Sequence, residues 1–238
     1  KGRGIIGVLK GQISLDEALT DYRDLSLKIL PGVGSTQNPA GLGLPVILDP
    51  VGVTASRFRR QTAIDIIRKT SPSVIRGNEA EIRALNQELR GHETGNTCGV
   101  DSETFGTIES RMETACSLRD LTGAVVVMTG EEDVVAGKER RFIVRNGHPW
   151  MARITGSGCM LDGLMGAFCG LYGEPGLAGL TEEAAVTALS AHGLCGELAA
   201  AETAKRGGGT GTFRMYLLDK MSLLDDGTLE RGKKIEIR

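Results

Sequence analysis

From Ala124 to Asp162 the chain reads AVVVMTGEEDVVAGKERRFIVRNGHPWMARITGSGCMLD, and changes of pattern within it decide the fold. Ala124–Met128 (AVVVM) has the strongest strand character in the chain. Two further short runs, Asp133–Ala136 and Arg140–Arg145, are separated by Gly137 and charged residues and predict a hairpin. Beyond a loop, apolar residues fall at Leu161, Leu164, Met165 and Phe168, the i, i+3, i+4, i+7 spacing of one buried helix face. Thr155–Gly158 (TGSG) runs directly into that helix. Such a tract presents successive backbone N–H groups to an anion, with the positive end of the helix dipole behind them. Cys159 then lies at or just inside the helix N-terminus, where the dipole favours thiolate, within reach of a phosphate held by the N–H groups of Gly156, Ser157 and Gly158. The competing reading is a glycine turn before a core helix with a buried structural cysteine, since neither GxGxxG nor the GK[ST] ending of a P-loop is present.

Upstream, strands and helices alternate. Leu44–Leu48 (LPVIL) reads as a strand covered on both faces and ends at Asp49-Pro50. A helix carrying Ala63, Ile66 and Ile67, a strand at Val74–Arg76 and a helix carrying Ile82, Leu85 and Leu89 follow. Gly91–Thr107 is polar and glycine-rich and reads as a long loop, and a helix over Ser110–Leu121 leads into the AVVVM strand. Downstream, a long helix starts near Thr181, with Glu182 and Glu183 suited to its first turn and Ala184, Ala188, Ala191, Cys195 and Leu198 on one face. The run Gly207–Gly211 breaks it, and a last helix covers Phe213–Leu223. This alternation predicts one α/β domain over residues 1–238, a mostly parallel sheet with helices on both faces. Ligands of such sheets gather beyond the carboxyl ends of strands, where Asp49, Arg76, Thr129 and Thr155 converge.

The 238 residues carry a formal net charge of −2, which gives no electrostatic reason to expect nucleic acid or an anionic membrane as partner. Five cysteines, Cys98, Cys116, Cys159, Cys169 and Cys195, show neither CxxC nor Cys/His metal spacing, which fits a reduced cytoplasmic setting rather than a disulfide framework or a zinc site. No apolar run approaches membrane-spanning length, and no signal-peptide pattern is present. Small-molecule chemistry is the class that remains.

Four segments together resemble the hydroxyethylthiazole kinases of the ribokinase-like superfamily: LPVILDPVG (Leu44–Gly52), VIRGNEAEI (Val74–Ile82), VVVMTGEEDVV (Val125–Val135) and NGHPWMARITGSGCM (Asn146–Met160). Gly99–Ser102 (GVDS) and Gly209–Met221 (GTGTFRMYLLDKM) add to the likeness, which runs in order over residues 44–238 and leaves residues 1–43 unmatched. Most of the superfamily ends its glycine loop in an aspartate base, whereas this family has cysteine there, as Cys159 does. The resemblance implies a ribokinase-like fold and transfer of the γ-phosphoryl of ATP, with Mg²⁺, to the primary alcohol of 4-methyl-5-(2-hydroxyethyl)thiazole in thiamine salvage. It implies that Arg76 and Thr129, with the adjoining Thr155, meet ATP, that Gly156 lies beside the substrate, and that Cys159 holds the catalytic position over the Gly156–Gly158 donors. It also implies a homotrimer with active sites between subunits.

Chemistry permits these roles. Backbone donors offset charge developing on the transferred group, and a guanidinium grips phosphate through two donors. Hard Mg²⁺ takes oxygen ligands and keeps waters, so Asp49, Asn78 and Glu81 are direct or water-mediated candidates. Asn78 and Glu81 also read as a helix N-cap with its capping-box partner. Asp162, three residues after Cys159, reads as a solvated first-turn carboxylate, with a second base as the other option. His148 and His192 are the histidines to weigh for a Cys–His pair. A strand at Leu25–Leu30 would leave only Ser35–Gly43 before Leu44, too short for a parallel crossover, so it pairs elsewhere or a stretch of the family pattern is absent or altered. The alternatives are a hydroxymethylpyrimidine kinase, an ATP-dependent dehydratase of hydrated NAD(P)H, and a nucleotide-binding module without catalysis.

Overall fold

A computed structural model describes residues 45–91, 106–171 and 181–238. The suggested strand at Leu25–Leu30, the Gly99–Ser102 motif and most of the Gly91–Thr107 loop lie outside the described residues. The described strands are β1 (Ile47–Leu48), β2 (Val74–Asn78), β3 (Val125–Thr129), β4 (Asp133–Ala136), β5 (Arg141–Val144) and β6 (Ile235–Ile237). They form one sheet in sequence order. The β1–β2 and β2–β3 pairs are parallel, and the three pairs from β3 to β6 are antiparallel. Since β5 reverses β4, strands β1, β2, β3 and β5 all point one way in a mixed sheet.

Period-two alternation along β3 sends side chains to two cores. Val126 and Met128 face α1 (Arg57–Thr70), α2 (Glu79–Leu89) and α3 (Ile108–Thr122), with Ile64, Ile82, Leu85 and Leu118 at their centre. Val125 and Val127 face α4 (Ser157–Leu171) and α5 (Thr181–Lys205) through Leu161, Met165, Ala188 and Leu189. The far half of α5 packs Cys195 and Ala199 on Phe213 and Leu217 of α6 (Thr210–Ser222). Helices therefore cover both faces, as expected.

Several elements depart from the reading of the sequence. Within LPVIL, whose Leu44 lies outside the described residues, only Ile47 and Leu48 form the strand; both are half-buried, with Leu48 packed on one core and Ile47 on the other, so the strand is covered on both faces while among the described residues it has one strand neighbour. The helix α7 (Asp226–Gly232) and strand β6 add a C-terminal return along β5. Helix α5 is buried nearly all round rather than on one face, for it runs between the sheet, α4 and α6. By length and composition α5 is also apolar enough to cross a membrane, yet 78% of its apolar window is buried inside the protein, which is the position of a core helix.

Two glycines on α5 let the segment before the glycine turn lie against it. A Cβ at Gly193 would sit 2.4 Å from the Asn146 carbonyl oxygen, and one at Gly196 would sit 2.3 Å from Met151 Sδ. Glycine to alanine in a helix interior ordinarily stabilises by about 1 kcal/mol. Gly193→Ala is expected to reverse that sign and destabilise by about 1–3 kcal/mol through overpacking against backbone. Gly163→Ala on α4, where nothing lies within 4 Å, is expected to keep the ordinary sign. Urea unfolding of both variants checks the contrast, and stabilisation by both would disprove the close approach.

Candidate active site

The parallel register brings the expected residues to one edge. Asn78 pairs with Thr129 at the ends of β2 and β3, and Leu48 pairs with Ile75, so Asp49 follows β1 at the level of Arg76. Arg76 Nη1 lies 2.8 Å from Asp49 Oδ2 and 3.5 Å from Asp162 Oδ2. The arginine side chain is 13% exposed, and its Nε is buried without a hydrogen-bond partner. Gly158 makes this seating possible, because a Cβ there would stand 2.9 Å from Arg76 Nη2. The guanidinium thus lies directly against the first turn of α4.

Gly156 has φ +93°, a conformation that favours glycine, and it turns the chain into α4. The Met160 N–H closes on the Gly156 carbonyl at 2.9 Å, which leaves the N–H groups of Ser157, Gly158 and Cys159 at the open end of the helix. Cys159 is exposed there, so the reading of a buried structural cysteine is excluded. Thr155 is also exposed, just ahead of the turn. Thr129 is half-buried and its hydroxyl donates to the Gly77 carbonyl at 3.3 Å. It borders a cavity of about 330 Å³ lined also by Glu79, Thr107, Arg111 and Glu132.

The approach to the turn is anchored by polar contacts. Asn146, 5% exposed, donates to Glu197 Oε1 at 3.1 Å and to the Gly232 carbonyl at 2.9 Å, and accepts from the Lys234 N–H at 2.8 Å. Lys234 Nζ meets Glu197 Oε2 at 2.7 Å. The C-terminal return therefore pins Asn146 to α5. None of these partners was visible in the sequence, since they lie 51 to 88 residues from Asn146.

Asn78 and Glu81 form a capping box at the start of α2. Asn78 Oδ1 accepts from the Glu81 N–H at 2.9 Å and Glu81 Oε2 accepts from the Asn78 N–H at 3.0 Å. Glu81 Oε1 accepts from the Gly52 N–H at 3.1 Å, which ties the Asp49–Gly52 loop to α2. Their remaining lone pairs suit a hydrated cation better than direct coordination. Among the described residues no three His, Cys, Asp or Glu side chains converge as a metal cage.

Neither histidine partners Cys159. His148 Nδ1 caps its own turn by accepting from the Trp150 N–H at 3.2 Å, and its ring lies beside Trp150 and Phe213. His192 is buried in α5, where desolvation, with Arg76 nearby, lowers its pKa to about 4.

The profile of the Hydroxyethylthiazole kinase family matches residues 33–226, well over half of the chain. The chain belongs to the hydroxyethylthiazole kinase family. The match starts ahead of Leu44, where the motif resemblance begins. A hydroxyethylthiazole kinase of Clostridium acetobutylicum is 38% identical over 199 residues, 81% of this chain and 68% of that protein. One of Desulfovibrio desulfuricans is 42% identical over 196 residues, 77% of this chain and 65% of that protein. The structure of the hydroxyethylthiazole kinase protein from Pyrococcus horikoshii OT3 superposes with a TM-score of 0.70 at 28% identity, covering 87% of this chain and 70% of that one. The chain thus spans about two thirds of the length of these curated relatives.

Asp162 departs most from its expected character. It is not a solvated first-turn carboxylate: its side chain is 22% exposed, its Oδ1 is buried without a partner, and Asp49 and Arg76 face it. Burial raises its pKa to about 7; Arg76 opposes the shift and Asp49 reinforces it. The folded protein therefore retains a proton that the unfolded chain releases near the ordinary value of 3.8. Stability should fall as pH rises from about 4 to 7 and level off above. Asp133, raised to about 7 by burial, adds to the same slope. His192, lowered to about 4, opposes this slope, since its folded form sheds a proton that the unfolded chain keeps up to about 6.5. In Asp162→Asn the Asp133 and His192 shares remain and largely offset each other, so the loss of urea-unfolding stability between pH 5 and pH 8 should be smaller than in the wild type. An equal loss in both would show that Asp162 titrates normally.

Proposed function

We propose that this chain phosphorylates the primary alcohol of 4-methyl-5-(2-hydroxyethyl)thiazole with ATP, the reaction that gives its family its name. The observation that carries this reading is the open N-terminus of α4, with Arg76 beneath it and an exposed Cys159 on it. In this reading the alcohol oxygen attacks the γ-phosphorus, the bond to the β–γ bridging oxygen breaks, ADP leaves and the alcohol proton passes to Cys159. The N–H groups of Ser157 and Gly158 and the guanidinium of Arg76 stabilise charge on the transferred phosphoryl. Thr129 and Thr155 line the approach of ATP, and Gly156 offers a side-chain-free surface beside the substrate.

Magnesium would supply charge neutralisation and a template for the phosphates. Asp49 is a hard oxygen donor at this edge, and Asn78 and Glu81 would reach the ion through water, which suits its preference for keeping a hydration shell. We further propose a cytoplasmic homotrimer acting on small molecules, with neither nucleic acid nor membrane as partner.

Purified protein incubated with ATP, Mg²⁺ and the thiazole alcohol should yield the phosphate ester. Turnover of a hydroxymethylpyrimidine or of hydrated NAD(P)H instead would reassign the substrate, and ATP binding without turnover would make the chain a binding module. Arg76→Ala should weaken ATP binding by about tenfold or more, since a charged hydrogen bond is worth roughly 1.5–3 kcal/mol. Arg68→Ala, on the exposed side of α1, should have little effect by calorimetric titration. Equal small effects would remove Arg76 from the site.

Cys159→Ala should lower turnover by about 10²-fold while leaving ATP affinity nearly unchanged, because proton acceptance contributes to the chemical step and not to nucleotide binding. Cys159→Asp should restore part of that loss by replacing one proton acceptor with another. An alanine variant with undiminished turnover would sink the catalytic role of Cys159.

A further inference from the structure

Arg111 is a buried cation that the site has not yet used. It leaves α3, its side chain is 8% exposed, and it ends under the last residues of β3. Its Nη2 lies 3.4 Å from the Met128 carbonyl oxygen and would stand 2.6 Å from a Cβ at Gly130. The guanidinium thus fills the space that a side chain at 130 would need, and it flanks the backbone on both sides of Thr129. Arg111 and Thr129 also share the wall of the cavity of about 330 Å³. Thr129 itself is loosely held. The ladder to β4 stops at Met128, and the Thr129 hydroxyl reaches the Gly77 carbonyl at 3.3 Å, long for an O–H donor, for which about 2.7–2.8 Å is usual. On that side its placement follows the backbone of residues 128–130, which Arg111 supports from beneath and which the Gly130 N–H ties to Asp133 Oδ1 at 2.9 Å.

Stability does not call for a cation here. Arg111 Nε lies 3.6 Å from Glu79 Oε2, and among the described residues neither atom has a hydrogen-bond partner. Apolar side chains often equal or better so loosely matched a buried pair. Glu79 has a second cation in Arg83, 2.7 Å away, and its Oε1 also accepts from the Gly106 N–H at 3.1 Å, so it is not left bare when Arg111 is removed.

We propose that Arg111 is a positioning residue for the phosphoryl donor: its guanidinium holds the Met128–Gly130 backbone so that Thr129 is presented to the nucleotide. The inference rests on the reading above in which Thr129 lines the approach of ATP. Arg111 acts through Thr129 and has no part in bond making.

The test measures the dissociation constant of ATP with Mg²⁺ by calorimetry, together with kcat and KM for ATP and for the thiazole alcohol. The proteins are the wild type, Arg111→Met, Arg111→Lys, Thr129→Ala and the Arg111→Met, Thr129→Ala double variant. Arg111→Met should weaken ATP binding and raise KM for ATP about tenfold, while kcat at saturating ATP and KM for the alcohol stay within about threefold. Arg111→Lys, which keeps a donor on a flexible stem, should recover part of the loss; should Arg111→Met not fold, the same split between KM and kcat in Arg111→Lys decides. The double variant should lose little more ATP affinity than Thr129→Ala alone, and multiplication of the two losses would overturn the proposal. Arg90→Met removes a tether between the far ends of α2 and α3, the hydrogen bonds to Ser117 Oγ at 3.0 and 2.6 Å, and should leave ATP binding unchanged. A purely structural Arg111 would lower the melting temperature and kcat, with the affinity and KM for ATP unchanged, which would overturn the proposal. Weakened ATP binding in Arg111→Met without turnover of the alcohol by any of the proteins would uphold the positioning and remove the substrate. Failure of the wild type to bind ATP would overturn both readings.

Discussion

The guanidinium of Arg76 joins three elements that the chain supplies far apart. Its own strand β2 lies in the sheet, Asp49 follows β1 and Asp162 comes from α4. With 13% exposure the arginine has given up most of its water, so carboxylates must offset the desolvation. Breaking a buried pair by removing one partner typically costs about 3–5 kcal/mol, whereas the pair as a whole contributes little net stability. What the cluster provides is position. It holds the first turn of α4 over the sheet edge, with the Gly158 backbone resting where any side chain would collide with the guanidinium.

A second constraint works from the opposite side. Asn146 is held by Glu197 and by the C-terminal return through Gly232 and Lys234, so the segment entering the glycine turn is fixed at its start. Gly193 and Gly196 allow this segment to lie on α5 without a gap. The turn itself can then be small and exposed, since its placement does not depend on its own side chains. Loops that carry chemistry need such rigid support.

Most of the architecture was legible in the sequence because its signals are local. The run Val125–Met128 alternates between two cores, and the spacing of Leu161 and Met165 places α4 against the sheet. Short elements escaped: β6 has three residues and α7 seven, too few for periodicity to register, and they form only because β5 and α5 await them. At the site, spacing brought Asp49, Arg76, Thr129 and the glycine turn to one edge, and the capping box of Asn78 and Glu81 could be read from four consecutive residues. The nature of Asp162 could not. A helix position tells which way a side chain leaves its own axis, not that an arginine from β2 and an aspartate after β1 stand across from it.

That failure has a physical cause. On an isolated helix, a carboxylate in the first turns is favoured by the dipole and well hydrated, so local rules assign it to solvent. Tertiary packing reverses the assignment by replacing water with Arg76 and Asp49, and the same replacement raises the pKa of Asp162 to about 7 by desolvation. A local rule overridden at a cost to stability marks a place where something other than stability is being served. Asn78 and Glu81 supply the contrast at the same edge. Their local rule and their tertiary contacts agree, and both side chains spend their hydrogen bonds on the backbone of α2 and the Gly52 N–H. Asp162, by contrast, sits where burial opposes its charge, and it stands one helical turn from the exposed thiol of Cys159.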